Sequence, residues 1–304
     1  MSKLMSLSDS ISSFIHDGNS IYITGFTHLI DFSAGHEIIR QGKKELILIR
    51  MTPDLIYDQM VLAGTASKLI FSYLGNPGVG SLHCIRRSVE EGVPRKIDIE
   101  EYTHGSLISS LYAGGANIPF FPVNSVDKTD LLDHNGNFKY VMDPFTGKKA
   151  LVVKQLRPDV SIVHVQRSDL EGNSQIWGII GEQKEAAFAA RRVIITAEEI
   201  VPSETIKADP NRTLIPGFLV SAVVHDPWGS HPSYAQGFYD RDNDFYLRWD
   251  KISRDRKTVE GYLDEWVYGV DSREEYISKL GYEYLQKLKM KEKWVPPLNY
   301  GSVI

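Results

Sequence analysis

One pattern occurs three times within residues 21–81 and constrains the fold more than any other feature of the sequence. In each copy a short apolar run ends in a turn of small residues, and a helix-like segment follows. Continuous apolar runs are typical of strands buried on both faces, and the helices between them are typical of crossovers in a parallel sheet. The pattern predicts an α/β fold with a mainly parallel, Rossmann-like sheet flanked by helices. In such folds ligands bind at the carboxyl ends of the strands.

The same rhythm continues beyond this stretch as one domain over residues 1–304. Residues 124–149 are polar and turn-rich, which predicts an inserted loop or small subdomain. Residues 240–304 are rich in charge and aromatic side chains, and we expect a C-terminal helical extension. Strands are predicted at 21–24, 45–50, 68–73, 96–100, 118–123, 161–165, 193–197 and 219–224. Helices are predicted at 33–42, 54–63, 82–91, 106–115, 185–192, 258–268 and 272–289, besides an opening amphipathic helix capped by Ser8 or Asp9.

Composition excludes several classes of partner. The chain has 304 residues and a net charge of −5, which gives no electrostatic footprint for nucleic acid or an anionic membrane. No apolar stretch approaches the roughly 18 residues of a membrane span. The polar residues near the N-terminus do not fit a signal peptide, and the single cysteine, Cys84, indicates a reducing compartment. We therefore expect a cytoplasmic protein.

The glycine-rich loop at 75–81 is the richest candidate for chemistry. Gly78 and Gly80, with Glu100 about twenty residues later, partly match a dinucleotide-binding fingerprint. The third glycine of that fingerprint is replaced by His83, whose side chain would obstruct close helix–strand packing. A turn whose N–H groups face an acyl or phosphate oxygen fits better, and a plain strand-to-helix turn is the remaining alternative.

Two nearby patterns fall short of catalytic motifs. His36 and Glu37 would open a helical zinc motif, but Arg40 stands where the second histidine belongs. We expect Glu37 and Arg40 to form a solvated i,i+3 ion pair. His83 and Cys84 are adjacent, so on a helix they point about 100° apart and make a poor nucleophile–base pair. Cys84 is predicted to lie in the core.

Two further groups leave alternatives open. His225, Asp226 and His231 surround a Pro-Trp-Gly turn, which fits either a metal site or, more simply, side chains that cap backbone groups. Glu101 and His104 follow another predicted strand, where an acid or base could face a ligand or cap the next helix.

At these turns the chain resembles a known family. An Asp17-Gly18-Asn19 turn, an apolar strand and then Thr24-Gly25-Phe26-Thr27 resemble the alpha subunits of family I coenzyme A transferases. The resemblance is greatest to the glutaconate type and extends over nearly the whole chain. Further matching stretches lie at 1–3, 138–140, 144–145, 176–178, 197–200, 215–217, 227–233, 239–243, 265–267 and 275–281.

The resemblance implies a CoA-transferase-type sandwich and a reaction that moves CoA from an acyl-CoA to a carboxylic acid. It also implies a beta-type partner chain in a heterotetramer or larger assembly, with a CoA thioester as substrate and no permanent cofactor or metal. In the family a beta-chain glutamate within Ser-Glu-Asn-Gly attacks the thioester and becomes a glutamyl-CoA intermediate. That tetrapeptide is absent here, so no nucleophile is assigned to this chain.

What this chain would supply is the wall of a shared active site, with N–H groups that stabilise a thioester oxyanion. Glu101 is the candidate acid or base. The candidate substrate-binding residues are Gly25, Phe26, Asn76, Gly78, Val79, Gly80 and Ser81.

The sequence departs from the family at two points. Thr24 stands where the family has glycine, and residues 28–32 read His-Leu-Ile-Asp-Phe where the glutaconate type has a basic Arg-Lys-Pro-like stretch. The loss of a cation there removes one basis for recognising a second carboxylate on the substrate.

Three other functions remain as alternatives. A related ring-cleaving CoA-thioester hydrolase would share the two-chain fold, with an acidic residue near Glu101 as base. A non-catalytic scaffold would only complete the partner's fold. A stand-alone dehydrogenase would have to bind nicotinamide at the 75–81 loop. A partner chain that carries Ser-Glu-Asn-Gly would favour transfer over hydrolysis.

Overall fold

The protein was analysed as a computed structural model, which describes residues 3–76 and 78–290. Its strands are β1 (Ser20–Ile23), β2 (Leu46–Ile49), β3 (Ala66–Phe71), β4 (Asp98–Glu101), β5 (Phe120–Pro122), β6 (Phe138–Met142), β7 (Lys149–Lys154), β8 (Val160–Ser168), β9 (Ser174–Gln175), β10 (Arg192–Ile200), β11 (Thr213–Ile215) and β12 (Val220–His225). Its helices are α1 (Leu7–Phe14), α2 (Phe32–Arg40), α3 (Leu55–Leu62), α4 (His83–Glu90), α5 (His104–Gly115), α6 (Leu131–His134), α7 (Gln183–Ala189), α8 (Ser203–Ala208), α9 (Asn243–Arg254), α10 (Arg256–Leu263), α11 (Arg273–Leu280) and α12 (Tyr282–Leu288).

A nine-stranded sheet forms the centre of the described chain. Two of its strands, β9 and β11, are antiparallel additions, and the other seven run parallel in the order β4-β3-β2-β1-β8-β10-β12. The prediction of a mainly parallel sheet is confirmed. The strand order reverses between β1 and β8, and crevices at such points are where open α/β sheets bind ligands.

The first strands read as continuous apolar runs because both faces of the sheet are covered. Ile21 and Ile23 of β1 contribute to one core with α1 to α4, α9 and α10, whereas Tyr22 contributes to a second core with α5 and α7. Leu48 and Ile49 of β2 divide between the two cores in the same way. Side chains that alternate between two buried faces favour apolar residues at consecutive positions.

Most predicted helices are present, with boundaries set by caps that differ from those expected. Ser6, rather than Ser8 or Asp9, caps α1, and Asp31, rather than Ser33, caps α2. The long helix predicted at 272–289 is divided in two because Gly281 adopts φ +87°. The predicted 258–268 helix ends as α10, and a π-helical turn follows at Asp264–Tyr268.

The polar segment 124–149 contains α6, β6 and the first residue of β7. Together β5, β7 and β6 form an antiparallel sheet of their own, which packs on α5 through Phe138 and Val153. The predicted C-terminal extension is helical from α9 to α12, and its residues 291–304 lie outside the described residues. None of the described helices has the length and apolar character needed to cross a membrane.

Candidate functional site

Two adjoining cavities open at the carboxyl ends of β1, β2, β3 and β4. The smaller has a volume of about 410 Å³ and the larger about 1060 Å³. Tyr73 and His104 line both, so the two cavities adjoin, and together they are called the cleft. Gly25, Phe26 and Asn76 line the smaller cavity, and Glu101 lines the larger one. Ligand-binding pockets in proteins typically have volumes of about 300–1,000 Å³.

The turn after β1 depends on glycine. Gly25 adopts φ +110°, and a Cβ atom placed there would lie 2.5 Å from the carbonyl oxygen of Leu29. Because the obstructing atom belongs to the backbone, no side-chain movement could relieve the contact. Thr27 also has a positive φ of 62°. This stretch of backbone is therefore folded tightly against the following residues and held at the cleft wall.

Arg50, at the end of β2, holds this turn from behind. Its buried guanidinium donates to the carbonyl oxygens of Ile23 at 2.7 Å and Thr24 at 2.9 Å, and also to that of Gly25. With these carbonyls engaged, the amide nitrogens of Gly25 and Phe26 make no hydrogen bond to any described residue. Two residues that line the smaller cavity thus have backbone N–H groups without a partner among the described residues. Arg50 is not among the residues predicted from the sequence, because its role depends on contacts 25 to 27 residues away in the chain.

Only the first part of the glycine-rich loop at 75–81 lines the smaller cavity. Asn76 lines the smaller cavity, and its buried Nδ2 has no hydrogen-bond partner among the described residues. Gly80 and Ser81 instead face α9: the Ser81 amide donates to Asp250 Oδ1 at 3.0 Å, and a Cβ on Gly80 would lie 2.3 Å from the Asp250 Cβ. Val79 belongs to the core, and the backbone at Gly78 is exposed with φ +79°. Asn76 is thus the cleft-lining residue of this predicted set.

Glu101 and His104 have separate positions in the cleft. Glu101 ends β4 with its side chain exposed, and its carboxylate bonds to no described residue. Thr103 is the N-cap of α5. The capping role left open for Glu101 and His104 therefore belongs to Thr103. The His104 ring lies 3.3 Å from Thr52 Oγ1 and 3.2 Å from Ser72 Oγ, between the two cavities.

The C-terminal extension supplies Arg241 to the smaller cavity, although Arg241 is not among the residues predicted from the sequence. Asp54 lines the same cavity and accepts from the Leu55 amide at 2.7 Å and the Tyr246 hydroxyl at 2.9 Å. Burial raises the pKa of the Asp54 carboxyl, and the positive charge of Arg50 opposes that rise. Two arginines and one carboxylate therefore line the smaller cavity.

The segment that departs from the glutaconate type, residues 28–32, is part of the protein interior. His28 is buried, stacks on Tyr234 with ring centroids 5.1 Å apart, and has Nε2 2.5 Å from the Ile179 carbonyl oxygen. Burial lowers the pKa of His28 to about 4, so the ring is uncharged at neutral pH. Asp31 caps α2 and accepts from Thr196 at 2.6 Å. Ile30 is the residue of this segment that lines the smaller cavity.

The residues around the Pro-Trp-Gly turn do not come together as one site. His225 is exposed, whereas His231 is buried 3.1 Å from Asp242. Asp226 instead lies near Asp31 and His164, with potential ligand atoms within 4.8 Å of one another. Both nitrogens of His164 are already engaged, by Thr196 and Glu198 at 2.8 Å each, so this group is organised as a hydrogen-bond network.

Two other sequence predictions have clear outcomes. Cys84 is 1% exposed, and burial raises the pKa of its thiol, which confirms it as a core residue. The predicted Glu37–Arg40 ion pair forms at 2.8 Å, but the prediction that it is solvated is wrong. The two side chains are 8% and 12% exposed because α2 is packed between neighbouring elements.

Comparison with known proteins gives consistent matches. The model of the family described as coenzyme A transferase matches residues 4–226. The A-type chain of the 3-oxoadipate CoA-transferase of Pseudomonas knackmussii is 48% identical over 280 residues, which cover 92% of this chain and 99% of that protein. The A-type chain of the glutaconate CoA-transferase of Acidaminococcus fermentans is 33% identical over 318 residues, which cover 99% of this chain and 97% of that protein.

A solved structure and a more distant relative complete the comparison. The crystal structure of glutaconate CoA-transferase from Acidaminococcus fermentans aligns with a TM-score of 0.90 at 33% identity and covers 98% of both chains. A cholesterol ring-cleaving hydrolase subunit of Mycobacterium tuberculosis is 24% identical over 185 residues, 58% of this chain and 63% of that protein. The hydrolase alternative thus has only distant support.

The relatives that cover the chain almost end to end are each named as one lettered subunit of a transferase, which implies a partner subunit. The expected CoA-transferase-type fold is confirmed by the structural match. Because the family model spans most of its length, the chain belongs to the coenzyme A transferase family, as the A-type subunit of a CoA-transferring enzyme.

Proposed function

We propose that this chain forms one wall of a shared active site in which CoA moves from an acyl-CoA to a carboxylic acid through a glutamyl-CoA intermediate on a beta-type partner. The observation that carries the proposal is the set of unpaired donors in the smaller cavity. These are the amide nitrogens of Gly25 and Phe26 and the buried Nδ2 of Asn76, none of which bonds to a described residue.

These donors suit the first step of such a transfer. When a carboxylate attacks a thioester, the carbonyl oxygen gains negative charge in the tetrahedral intermediate. Preorganised N–H groups stabilise that charge more than they stabilise the neutral thioester. The collapse of the intermediate breaks the C–S bond, releases CoA thiolate and leaves an acyl anhydride with the attacking carboxylate. The thiolate then attacks the glutamyl carbonyl of the anhydride. This step releases the donor's acyl group as a free carboxylate and leaves glutamyl-CoA.

The nucleophile is proposed to come from the partner because this chain lacks the Ser-Glu-Asn-Gly that carries the attacking glutamate in the family. Asp54 serves as the cap of α3 and is bonded to Tyr246. Glu101 lies in the wider cavity, at the exposed end of β4. A glutamate that enters from a second chain would approach the unpaired donors from the open side of the cleft.

A ring-cleaving hydrolase is the second candidate, and the position of Glu101 favours it. Its carboxylate is free of bonds to the described residues and lines the 1060 Å³ cavity, which is wide enough for a bulky acyl group. In that reaction Glu101 would act as the acid or base on the substrate.

The deciding experiment uses the chain purified with its native partner. Acetyl-CoA and a panel of carboxylic acids are supplied, and new acyl-CoA species and free CoA are measured separately by liquid chromatography. A transferase produces a new acyl-CoA only when an acceptor acid is present. Release of free CoA without an acceptor would show thioester hydrolysis in place of transfer.

Two further features belong to the proposal. The complex is expected to contain two or more copies of each chain, as a heterotetramer or a larger assembly. A cytoplasmic location is inferred from the single cysteine, which fits a reducing compartment.

A further inference from the structure

The glycine-rich loop at 75–81, which places Asn76 in the cleft, is closed on itself as a tight turn. Asn76 and Gly80 form an antiparallel bridge, and the Val79 amide donates to the Asn76 carbonyl oxygen at 3.2 Å. Because of these contacts, a shift of the backbone at Gly80 is passed on to Asn76. The position of Asn76 therefore depends on what holds the far end of the turn.

Asp250 of α9 holds that far end. Its Oδ1 accepts from the Ser81 amide at 3.0 Å and lies 3.0 Å from His83 Nε2, and its Oδ2 accepts from Arg254 at 2.6 Å. Gly80 lies directly against it, because a Cβ on Gly80 would be 2.3 Å from the Asp250 Cβ. Both carboxylate oxygens are thus engaged, and Oδ1 is bonded to the loop.

The start of α4 explains why a carboxylate is favoured at this point. Leu82 occupies the N-cap position of α4, and its apolar side chain has no atom that could accept a hydrogen bond. The N-terminus of a helix carries partial positive charge and N–H groups that lack partners within the helix, and a nearby carboxylate stabilises it. Asp250 supplies that carboxylate from a different helix, through the amide of the residue before the cap.

The rest of α9 fixes the position of Asp250. Trp249 is fully buried, and its Nε1 donates to Asp58 of α3 at 3.0 Å. One turn further along α9, the Ser253 carbonyl oxygen accepts from Arg87 of α4 at 2.7 Å. The helix that carries Asp250 is therefore anchored to both α3 and α4, and its carboxylate is presented to the loop from a rigid support.

Val79 provides a second anchor for the loop. Its side chain is buried and belongs to the same core as Trp249. Loss of the Asp250 carboxylate would therefore leave the loop attached to the protein but release its orientation. The action of a hydrogen-bond donor on a transition state depends on that orientation, and small misplacements lower the rate.

We propose that Asp250 is a positioning residue for CoA transfer, which acts through the glycine-rich loop to hold the Asn76 amide toward the thioester oxyanion. This inference rests on the proposed function and extends it to a residue that is not among the described residues lining the cleft. Asp250 lies in the C-terminal extension, beyond the residues 4–226 that the family model matches. The extension thereby takes part in the reaction as well as in the fold.

The test measures kcat and KM in the native complex, with acetyl-CoA as donor. Asp250→Ala is expected to lower kcat about 10- to 100-fold and to leave KM for acetyl-CoA within about twofold, because the oxyanion forms only in the transition state. Asp250→Asn keeps an oxygen that can accept from the Ser81 amide, so it should recover most of that loss.

Asp255→Ala is the matched control. Asp255 also accepts from a backbone amide at the start of a helix, that of Thr258 at 2.8 Å, but it caps α10 and not the start of α4. Turnover per folded Asp255→Ala complex should equal that of wild type.

A double-mutant cycle separates positioning from a general effect on stability. When Asn76 is already alanine, Asp250→Ala should lower kcat by no more than about a further threefold, because its effect passes through the missing amide. Gly80→Ala, whose Cβ would press against Asp250, should reproduce the loss and show the same dependence on Asn76.

Hydrogen–deuterium exchange gives a readout that does not depend on turnover. The peptide that contains Ser81 should exchange faster in the Asp250→Ala complex than in the wild-type or Asp255→Ala complex, because its amide loses its acceptor.

Several results would overturn the proposal. Losses that multiply in the Asn76→Ala, Asp250→Ala double variant would show that Asp250 only stabilises the fold. Unchanged exchange of the Ser81 peptide in Asp250→Ala would show that the carboxylate does not hold the loop. Faster exchange with unchanged kcat would show that the orientation of the loop does not affect the reaction.

Failure of the proposed function has a different signature. If the wild-type complex transfers no CoA, or if Asn76→Ala keeps wild-type turnover, the proposed function fails and this inference fails with it. Faster exchange in the Asp250→Ala complex identifies that case, because Asp250 would then hold a loop that serves no transfer.

Discussion

Replacement of Asn76 should change stability and turnover in different directions. Its Nδ2 is buried without a partner among the described residues, and a buried unsatisfied donor costs a protein about 1–3 kcal/mol. Asn76→Ala removes that cost together with some packing, so the free energy of unfolding should stay level or rise slightly. The same amide is proposed to stabilise the thioester oxyanion, and removal of one such donor lowers kcat by about 100- to 1000-fold. Asn76→Asp places a negative charge at the same position and should reduce kcat further.

The assay measures kcat with the native partner and an acetyl-CoA donor, alongside the thermal unfolding of each complex. Asn137 provides a matched control because its Nδ2 is already bonded, at 3.0 Å to Glu100 and 3.1 Å to Asn135. Asn137→Ala should lower the free energy of unfolding by about 1 kcal/mol and leave turnover per folded complex unchanged. If Asn76→Ala keeps turnover within about threefold of wild type in an intact complex, the oxyanion role is wrong and the scaffold alternative gains support.

Three other predictions concern stability and reactivity. Gly25→Ala should disrupt the β1 turn and abolish turnover, because its Cβ would meet the Leu29 carbonyl oxygen at 2.5 Å; activity with a raised melting temperature would contradict the geometry. Burial and the neighbouring Asp31 raise the pKa of Asp226 from 3.8 to about 7, so the folded state retains a proton that the unfolded state loses, and stability falls as pH rises from about 4 to 7. Asp226→Asn should therefore raise the melting temperature more at pH 8 than at pH 5. An equal change in melting temperature at the two pH values would refute the raised pKa of Asp226. Cys84 should resist iodoacetamide until the protein unfolds, as read by mass spectrometry, since its thiol is buried and its pKa is raised.

The sheet was predictable because its evidence is local. Strands such as β1, β2 and β3 carry apolar side chains to both buried faces, and the turns that follow them are visible as small-residue clusters. The glycine turn at Gly25 and the cleft position of Asn76 follow from the same reasoning, because carboxyl ends of parallel strands meet at one edge.

Other features of the cleft depend on contacts between distant parts of the chain. Arg50 reaches carbonyls 25 to 27 residues away, and Arg241 reaches the cleft from the C-terminal extension. Likewise, Gly80 and Ser81 turn toward Asp250, which no local pattern of the loop indicates. The presence of a histidine at position 28 does not by itself show that the side chain is buried and uncharged at neutral pH, because its pKa depends on its surroundings.

The central claim is that this chain forms the wall of an active site whose nucleophile lies on another chain. The most direct test is to mix the native complex with acyl-CoA in the absence of an acceptor, quench it, and locate the bound CoA by peptide mass spectrometry. We expect the mass of CoA on a glutamate of the partner and none on this chain. A CoA adduct on Glu101, or on any other residue of this chain, would contradict the account.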